Sequence, residues 1–236
     1  MKIIENIRLE IDEEEVLRYQ GCNNKLKKVN STIMKITREE IERGHNLFET
    51  KGISTTVKIK KMSYSSGRVE LENNFSLNFN NSIINLLKGS SCLVIGVVTL
   101  GSSLENKVYE LFSQGEYPRA IALDAVGTVS VKSLRNYMSR LVCQKAREQN
   151  LQTTKHFSPG SVDWPINQQK NIFQMISTDK IGIQLTESYM MVPQKSLSWI
   201  IGIGKNIAVR LLKLSSFWYL STKLYHYWFN SDRWRE

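Results

Sequence analysis

The feature that most constrains the fold is the apolar run CLVIGVVTLG, from Cys92 to Gly101. It is the most apolar short run in the chain and is rich in β-branched residues, which favour strands. A strand without apolar–polar alternation is typical of a sheet whose two faces are both covered. We therefore predict that this run is the central buried strand and that other elements pack on each of its faces.

The segment from Arg119 to Asn150 has the longest helical pattern in the chain and can pack on one face of this strand. Its first half, AIALDAVGTVSV, is apolar nearly all round, with only Asp124 charged, and its second half is amphipathic and basic. A helix that is apolar on every side belongs in a core. Gly127 within it predicts close packing against a neighbouring element.

The rest of the chain adds shorter strands and helices. Asp12 precedes three glutamates and is expected to cap a helix that ends near Gly21. Hydrophobic periodicity predicts strands at 3–11, 55–62, 69–71, 182–186 and 196–203, and helices at 31–50, 83–87, 104–113 and 165–177. Because strands and helices do not alternate regularly, the pattern favours an α+β fold with a mixed sheet over a doubly wound parallel sheet.

Composition sets broad limits. At 236 residues the chain suits one large domain or two small ones. The net charge of +10 suits an acidic partner, although such a balance is also common without functional meaning. The three scattered cysteines fit no metal or disulfide pattern, the first residues lack the apolar core of a signal peptide, and no run approaches the ~18 apolar residues of a membrane span. A cytoplasmic protein is predicted.

Familiar catalytic patterns such as a P-loop, HExxH or GxSxG are absent from the sequence. The three histidines, His45, His156 and His226, are far apart, so a metal site built by the protein alone is not expected. No catalytic residue is predicted, which leaves open whether the chain is itself an enzyme.

The turn-rich stretch from His156 to Gly204 contains three of the four prolines and holds the most suggestive polar residues. Gly160, in the Ser158-Pro159-Gly160 turn, has no Cβ, so a ligand can approach its backbone closely. Glu187 lies between two hydroxyl residues at the end of an apolar run. Its carboxylate could accept hydrogen bonds from a ligand's ammonium or amide groups, or from nearby backbone N–H groups.

At these residues the chain resembles a known family. The runs SPGSVDWP and IGIQLTESYMMVPQKSLSWIIGIG resemble the activation domain of cobalamin-dependent methionine synthase, and still more its stand-alone relatives. IDEEEVLRYQG, VVTLG and AIALDAVGTVSVKSL extend the resemblance in order along residues 11–204.

The resemblance implies a single C-shaped α+β domain over residues 1–204, with a bent, mainly antiparallel sheet packed by helices. It also implies binding of S-adenosylmethionine and docking on the cobalamin-binding domain of methionine synthase or another corrinoid protein. An electron from a flavodoxin-like donor and a methyl group from S-adenosylmethionine would then regenerate methylcobalamin held by that partner. The implied cofactor-binding residues are His156, Ser158, Gly160 and Glu187, with the Ser158–Gly160 turn as the ligand cradle and Glu187 facing the partner.

Three positions depart from the family pattern. His156 and Ser161 replace an arginine that clamps the ligand carboxylate and a tyrosine, and Lys132 replaces a glutamate. Arginine is a permanently charged fork, whereas histidine is only partly protonated near neutral pH. Lys155 could replace the arginine as a point charge that binds the ligand carboxylate. One alternative function is therefore a non-catalytic scaffold that has lost S-adenosylmethionine binding.

Residues 205–236 form a basic, aromatic tail with three of the five tryptophans. It is interpreted as a helix that closes over the core or as a contact with the partner or a membrane surface. A membrane-surface or nucleic-acid binder is the third alternative, motivated by this tail and by the net charge. Nucleic acid is not the expected partner, because no recognisable nucleic-acid-binding motif is present.

Overall fold

The apolar run from Cys92 forms the centre of the sheet, as predicted. In the computed structural model, which describes residues 1–22, 29–161 and 163–207, it is strand β5 (Cys92–Thr99). It lies between β2 (Lys51–Ser63) and β9 (Ser196–Gly204) and is antiparallel to both. Residues 93–99 are all buried, which is why this strand needs no polar face.

Four more strands complete a curled sheet. They are β1 (Lys2–Glu5), β3 (Arg68–Leu71), β4 (Ser76–Asn78) and β6 (Gln152–Thr153). The order is β4-β3-β2-β5-β9-β6, and β1 also pairs with β2. Every strand pairing within the described ranges is antiparallel. The α+β fold with a bent antiparallel sheet is confirmed, and the mixed sheet is corrected, because local periodicity does not specify the direction of a strand.

Two predicted strands are shorter than their apolar patterns. The first ends at Glu5, because Asn6 adopts a left-handed conformation with φ of 57° and turns the chain. In the 182–186 run, only β7 (Gln184–Leu185) is extended, and it pairs with β8 (Met191–Val192) in a separate hairpin. Gly182, with φ of 73°, ends a 3₁₀ turn just before it.

The helices follow the predicted order closely. They are α1 (Glu13–Tyr19), α2 (Ser31–Leu47), α3 (Asn81–Leu86), α4 (Ser103–Ser113), α5 (Tyr117–Glu148) and α6 (Gln169–Met175). Asp12 caps α1 by accepting from the backbone N–H groups of Glu14 and Glu15. Among the described residues, no helix combines the length and apolar character needed to cross a membrane. The tail from residue 208 lies outside the described residues, so its predicted helix or contact stays a prediction.

The central strands direct their side chains alternately to two apolar layers. On one face, α5 packs its residues Leu134 and Met138 against β5 and β9; the strand side chains in this layer include Val94, Val98, Trp199, Ile201 and Ile203. On the other face, Phe157 and Trp164 of the turn-rich stretch pack against Ile95 and Ile200. The long helix and the turn-rich stretch therefore cover opposite faces of the same two strands.

An ion-pair network fastens the start of α5 to α2. Arg119 Nη1 lies 2.7 Å from Glu40 Oε1, and Nη2 lies 2.6 Å from Glu39 Oε2. Glu40 is fully buried, whereas the Arg119 side chain is 29% exposed. Hydrogen bonds to the two carboxylates raise the pKa of Arg119, and the bond from Arg119 lowers the pKa of Glu39.

Replacing Arg119 with methionine should destabilise the protein clearly, because it leaves the buried Glu40 carboxylate with Arg43 as its remaining partner. We expect a loss of about 2–3 kcal/mol in the free energy of unfolding, less than for a fully buried pair because Arg119 is partly exposed. Urea denaturation measures it. The matched control is Arg38→Met: the Arg38 side chain is 62% exposed and its partner Glu13 is 33% exposed, so its effect should be much smaller. Equal losses in the two variants would contradict the prediction.

Candidate functional site

The predicted ligand segment lies along the outer edge of β9. After β6, the Thr154 N–H donates to the Gly202 carbonyl over 2.9 Å. Phe157 and Ile200 exchange two backbone hydrogen bonds of 3.0 and 2.8 Å. This pairing fixes residues 154–157 against the central sheet, so that His156 and the following turn start from a rigid edge.

The Ser158-Pro159-Gly160 turn presents an open backbone. Gly160 is exposed, has φ of 85°, and donates its N–H to the Trp164 carbonyl over 2.8 Å. The nearest atom to a Cβ built there would be Ile166 Cδ1, at 3.1 Å. The Trp164 side chain is completely buried beside Phe79, with a distance of 4.8 Å between the ring centroids, and anchors the turn.

The Ser158 hydroxyl of this turn lacks a hydrogen-bond partner. Its Oγ and the Nε1 of Trp164 are both buried and unpartnered among the described residues. A buried polar group without a partner is destabilising in a folded protein. A ligand could supply the hydrogen bond at Ser158 if the turn moves to uncover this oxygen.

The charge of His156 is set by its surroundings. Burial, and then the positive charges of Arg135 on α5 and of Lys155, lower the pKa of His156 to about 4. The imidazole is therefore neutral at pH 7, whereas the sequence predicts partial protonation there. At neutral pH, His156 alone cannot act as a charged clamp for an anion.

This environment predicts a titration near pH 4 for the His156 ring, which proton NMR of the imidazole C–H groups would measure. Because the pKa of 6.5 for an ordinary histidine falls on folding, the unfolded chain binds more protons between pH 6.5 and about 4. The contribution of His156 to stability is thus complete above pH 6.5 and is lost as the pH falls toward 4. As the pH falls from 6.5 to about 4, the free energy of unfolding should therefore decrease less for the His156→Asn variant than for wild type. A ring pKa near 6.5 would contradict the prediction.

Glu187 occupies a different element from the other three predicted residues. It is exposed at the tip of the β7–β8 hairpin, where the Thr186 N–H donates to the Met190 carbonyl over 2.9 Å. No hydrogen bond or ion pair among the described residues links its carboxylate to His156, Ser158 or Gly160, and none holds it to nearby backbone N–H groups. His156, Ser158 and Gly160 lie on one segment and Glu187 on another, and the ligand-binding roles of all four stay predictions.

Two motifs of the sequence resemblance meet through Lys195. Its Nζ lies 2.8 Å from Asp124 Oδ1 and 2.9 Å from the Thr128 hydroxyl, so that VPQKS is fastened to DAVGT on α5. Gly127 lies in contact with the Lys195 chain, since a Cβ there would come within 3.1 Å of Lys195 Cε and 2.7 Å of Leu104 Cδ2. The close packing predicted at Gly127 is confirmed. Asp124 in one motif and Lys195 in the other carry opposite charges, and this is the sequence feature from which the ion pair could have been predicted.

Lys132, the third departure from the family pattern, also has a partner. It donates a hydrogen bond to the Tyr19 hydroxyl of α1, and its ammonium lies 4.4 Å from the centroid of the Tyr19 ring. Lys132 thereby connects α5 to α1.

Two cavities are lined by residues outside the predicted ligand segment. A cavity of about 510 Å³ is bounded by the end of α6 and by β7, with Ile176, Thr178, Ile183 and Leu185 among its lining residues. A smaller one of about 140 Å³ lies between Tyr19, Phe112 and Thr128. His156, Ser158, Gly160 and Glu187 line neither of these two cavities.

The sequence matches no family model and no curated protein. Among solved structures, the chain is similar to the crystal structure of the MetH reactivation domain bound to AdoHcy, with a TM-score of 0.62 and 11% sequence identity. The similarity covers 85% of this chain and 77% of that one. The chain therefore has the fold of the MetH reactivation domain, which confirms the fold that its sequence motifs imply.

Proposed function

We propose that the protein binds an adenosyl ligand of the S-adenosylmethionine class and acts in the cytoplasm as an accessory to reductive reactivation of a cobalamin-dependent methionine synthase or related corrinoid methyltransferase. The observation that carries this proposal is the fold shared with a reactivation domain that binds AdoHcy. The partners are then a cobalamin-binding domain and a flavodoxin-like electron donor.

The turn beside β9 has features that fit an adenosyl ligand. Gly160 is exposed and carries no side chain, and the Ser158 hydroxyl lacks a partner among the described residues. Arg135 and Lys155 supply positive charge next to His156. These groups could bind a ligand that carries both hydrogen-bonding atoms and a carboxylate.

In this proposal the chain binds and orients while its ligand and partner carry the chemistry. S-adenosylmethionine supplies a methyl group and the partner's cobalamin accepts it. The residues of the β9 edge hold the adenosyl ligand in one orientation, and that positioning is the contribution of this chain to the rate. We assign no catalytic residue.

The β7–β8 hairpin is the proposed contact with the corrinoid partner. Met190 and Val192 are 56% and 48% exposed, and Glu187 lies beside them at the tip. Exposed apolar side chains with an adjacent carboxylate are suited to a protein surface that becomes covered on docking.

Isothermal titration calorimetry with S-adenosylmethionine or S-adenosylhomocysteine tests ligand binding, and a pull-down with a purified cobalamin-binding domain tests docking. We expect measurable binding of the nucleosides at ligand concentrations below about 1 mM, and retention of the cobalamin-binding domain. Absence of both interactions would refute the proposed function. Retention of the domain without nucleoside binding would instead support the scaffold alternative, which the engagement of Lys132 with Tyr19 and the neutral His156 favour.

A further inference from the structure

We infer that Arg135, on helix α5, binds the carboxylate of the amino-acid moiety of the adenosyl ligand. This inference rests on the proposed function and deepens it, because it assigns a specific cation to one end of the ligand. Neither the sequence motifs nor the fold similarity assigns a role to this residue.

Arg135 is half-buried and differs in its partners from the four arginines of the structure that form ion pairs. Its described hydrogen bonds go to the side-chain oxygen of the adjacent Asn136, at 3.4 Å from Nε and 3.1 Å from Nη2. Within the described ranges it forms no ion pair with a carboxylate, whereas Arg38, Arg43, Arg68 and Arg119 each do. A half-buried guanidinium with five N–H donors is therefore left without a counter-charge.

The position of Arg135 on α5 brings it close to the ligand segment. Its neighbour Leu134 packs beneath the helix against Trp199 and Ile201 of β9, which holds this turn of α5 on the sheet. The charge of Arg135 acts on His156, which lies on the segment paired with the outer edge of β9. Arg135 therefore lies near His156, at the border between α5 and the edge of the sheet, and the Ser158–Gly160 turn begins two residues after His156.

The same region concentrates positive charge. Lys155 acts on His156 together with Arg135, and its ammonium lies 5.6 Å from the centroid of the Phe157 ring. Lys155 also has no carboxylate partner in the part of the chain that the structure describes. Like charges close together repel each other, and a bound anion relieves that repulsion. The cluster is therefore suited to an anion supplied from outside these residues.

A carboxylate suits this cluster because it matches the planar fork of a guanidinium and can accept two parallel hydrogen bonds. The unpartnered Ser158 hydroxyl, two residues after His156, could donate a further hydrogen bond. S-adenosylhomocysteine and S-adenosylmethionine each carry one carboxylate, on the amino-acid moiety. Binding of that group by Arg135 leaves the open turn at Gly160 for the rest of the ligand.

The test compares two nucleosides that differ in this group. S-adenosylhomocysteine has the carboxylate, and 5′-methylthioadenosine lacks the amino-acid moiety. By calorimetry, Arg135→Gln should weaken S-adenosylhomocysteine binding about 10- to 100-fold, the loss of a charged hydrogen-bonded contact, and leave methylthioadenosine binding unchanged. Arg135→Lys, which keeps the charge and loses the fork, should have an intermediate effect. Arg140→Gln, an exposed arginine of the same helix, is the matched control and should change neither affinity.

Equal affinity of wild type and Arg135→Gln for S-adenosylhomocysteine would overturn this inference and leave the proposed function intact. An equal loss for both nucleosides would also overturn it, since the effect would not depend on the carboxylate. Failure of the wild-type protein to bind either nucleoside would refute nucleoside binding itself, and the inference would fall with it. Thermal melting of each variant, followed by circular dichroism, identifies a variant that loses binding because it no longer folds.

Discussion

The antiparallel pairing of β5 with β9 forms the two sheet faces on which α5 and the turn-rich stretch pack. In this register Val94 lies opposite Ile201 and Ile95 opposite Ile200, so that the two strands send matched side chains to each face. One face is covered by α5 and the other by the turn-rich stretch. The outer edge of β9 remains for residues 154–157, and the proposed ligand turn follows directly from them.

Charged contacts fix α5 against its surroundings. Arg119 ties its start to α2, and Lys195 ties Asp124 to the chain that enters β9. Because α5 is held at these two points and packs on the sheet further along, through Leu134 and Met138, the position of Arg135 is determined by the fold as a whole. The proposed anion site is therefore a product of the same packing that builds the core.

The sequence predicts those elements that depend on local patterns. The apolar run of β5, the long helix α5 and the Asp12 cap each follow from neighbouring residues and were confirmed. The direction of the strands, the short β7 after left-handed Gly182 and the approach of Arg135 to His156 depend on distant parts of the chain. The fold itself is shared at 11% identity, because many apolar sequences satisfy one pattern of burial.

Amide chemical shifts measured during titration with S-adenosylhomocysteine locate the adenosyl ligand on the protein. If the ligand binds at the turn beside β9, the largest shifts occur at the amides of His156, Ser158 and Gly160. Shifts confined to the cavity between α6 and β7, at residues such as Ile176, Thr178 and Ile183, would contradict binding at this turn.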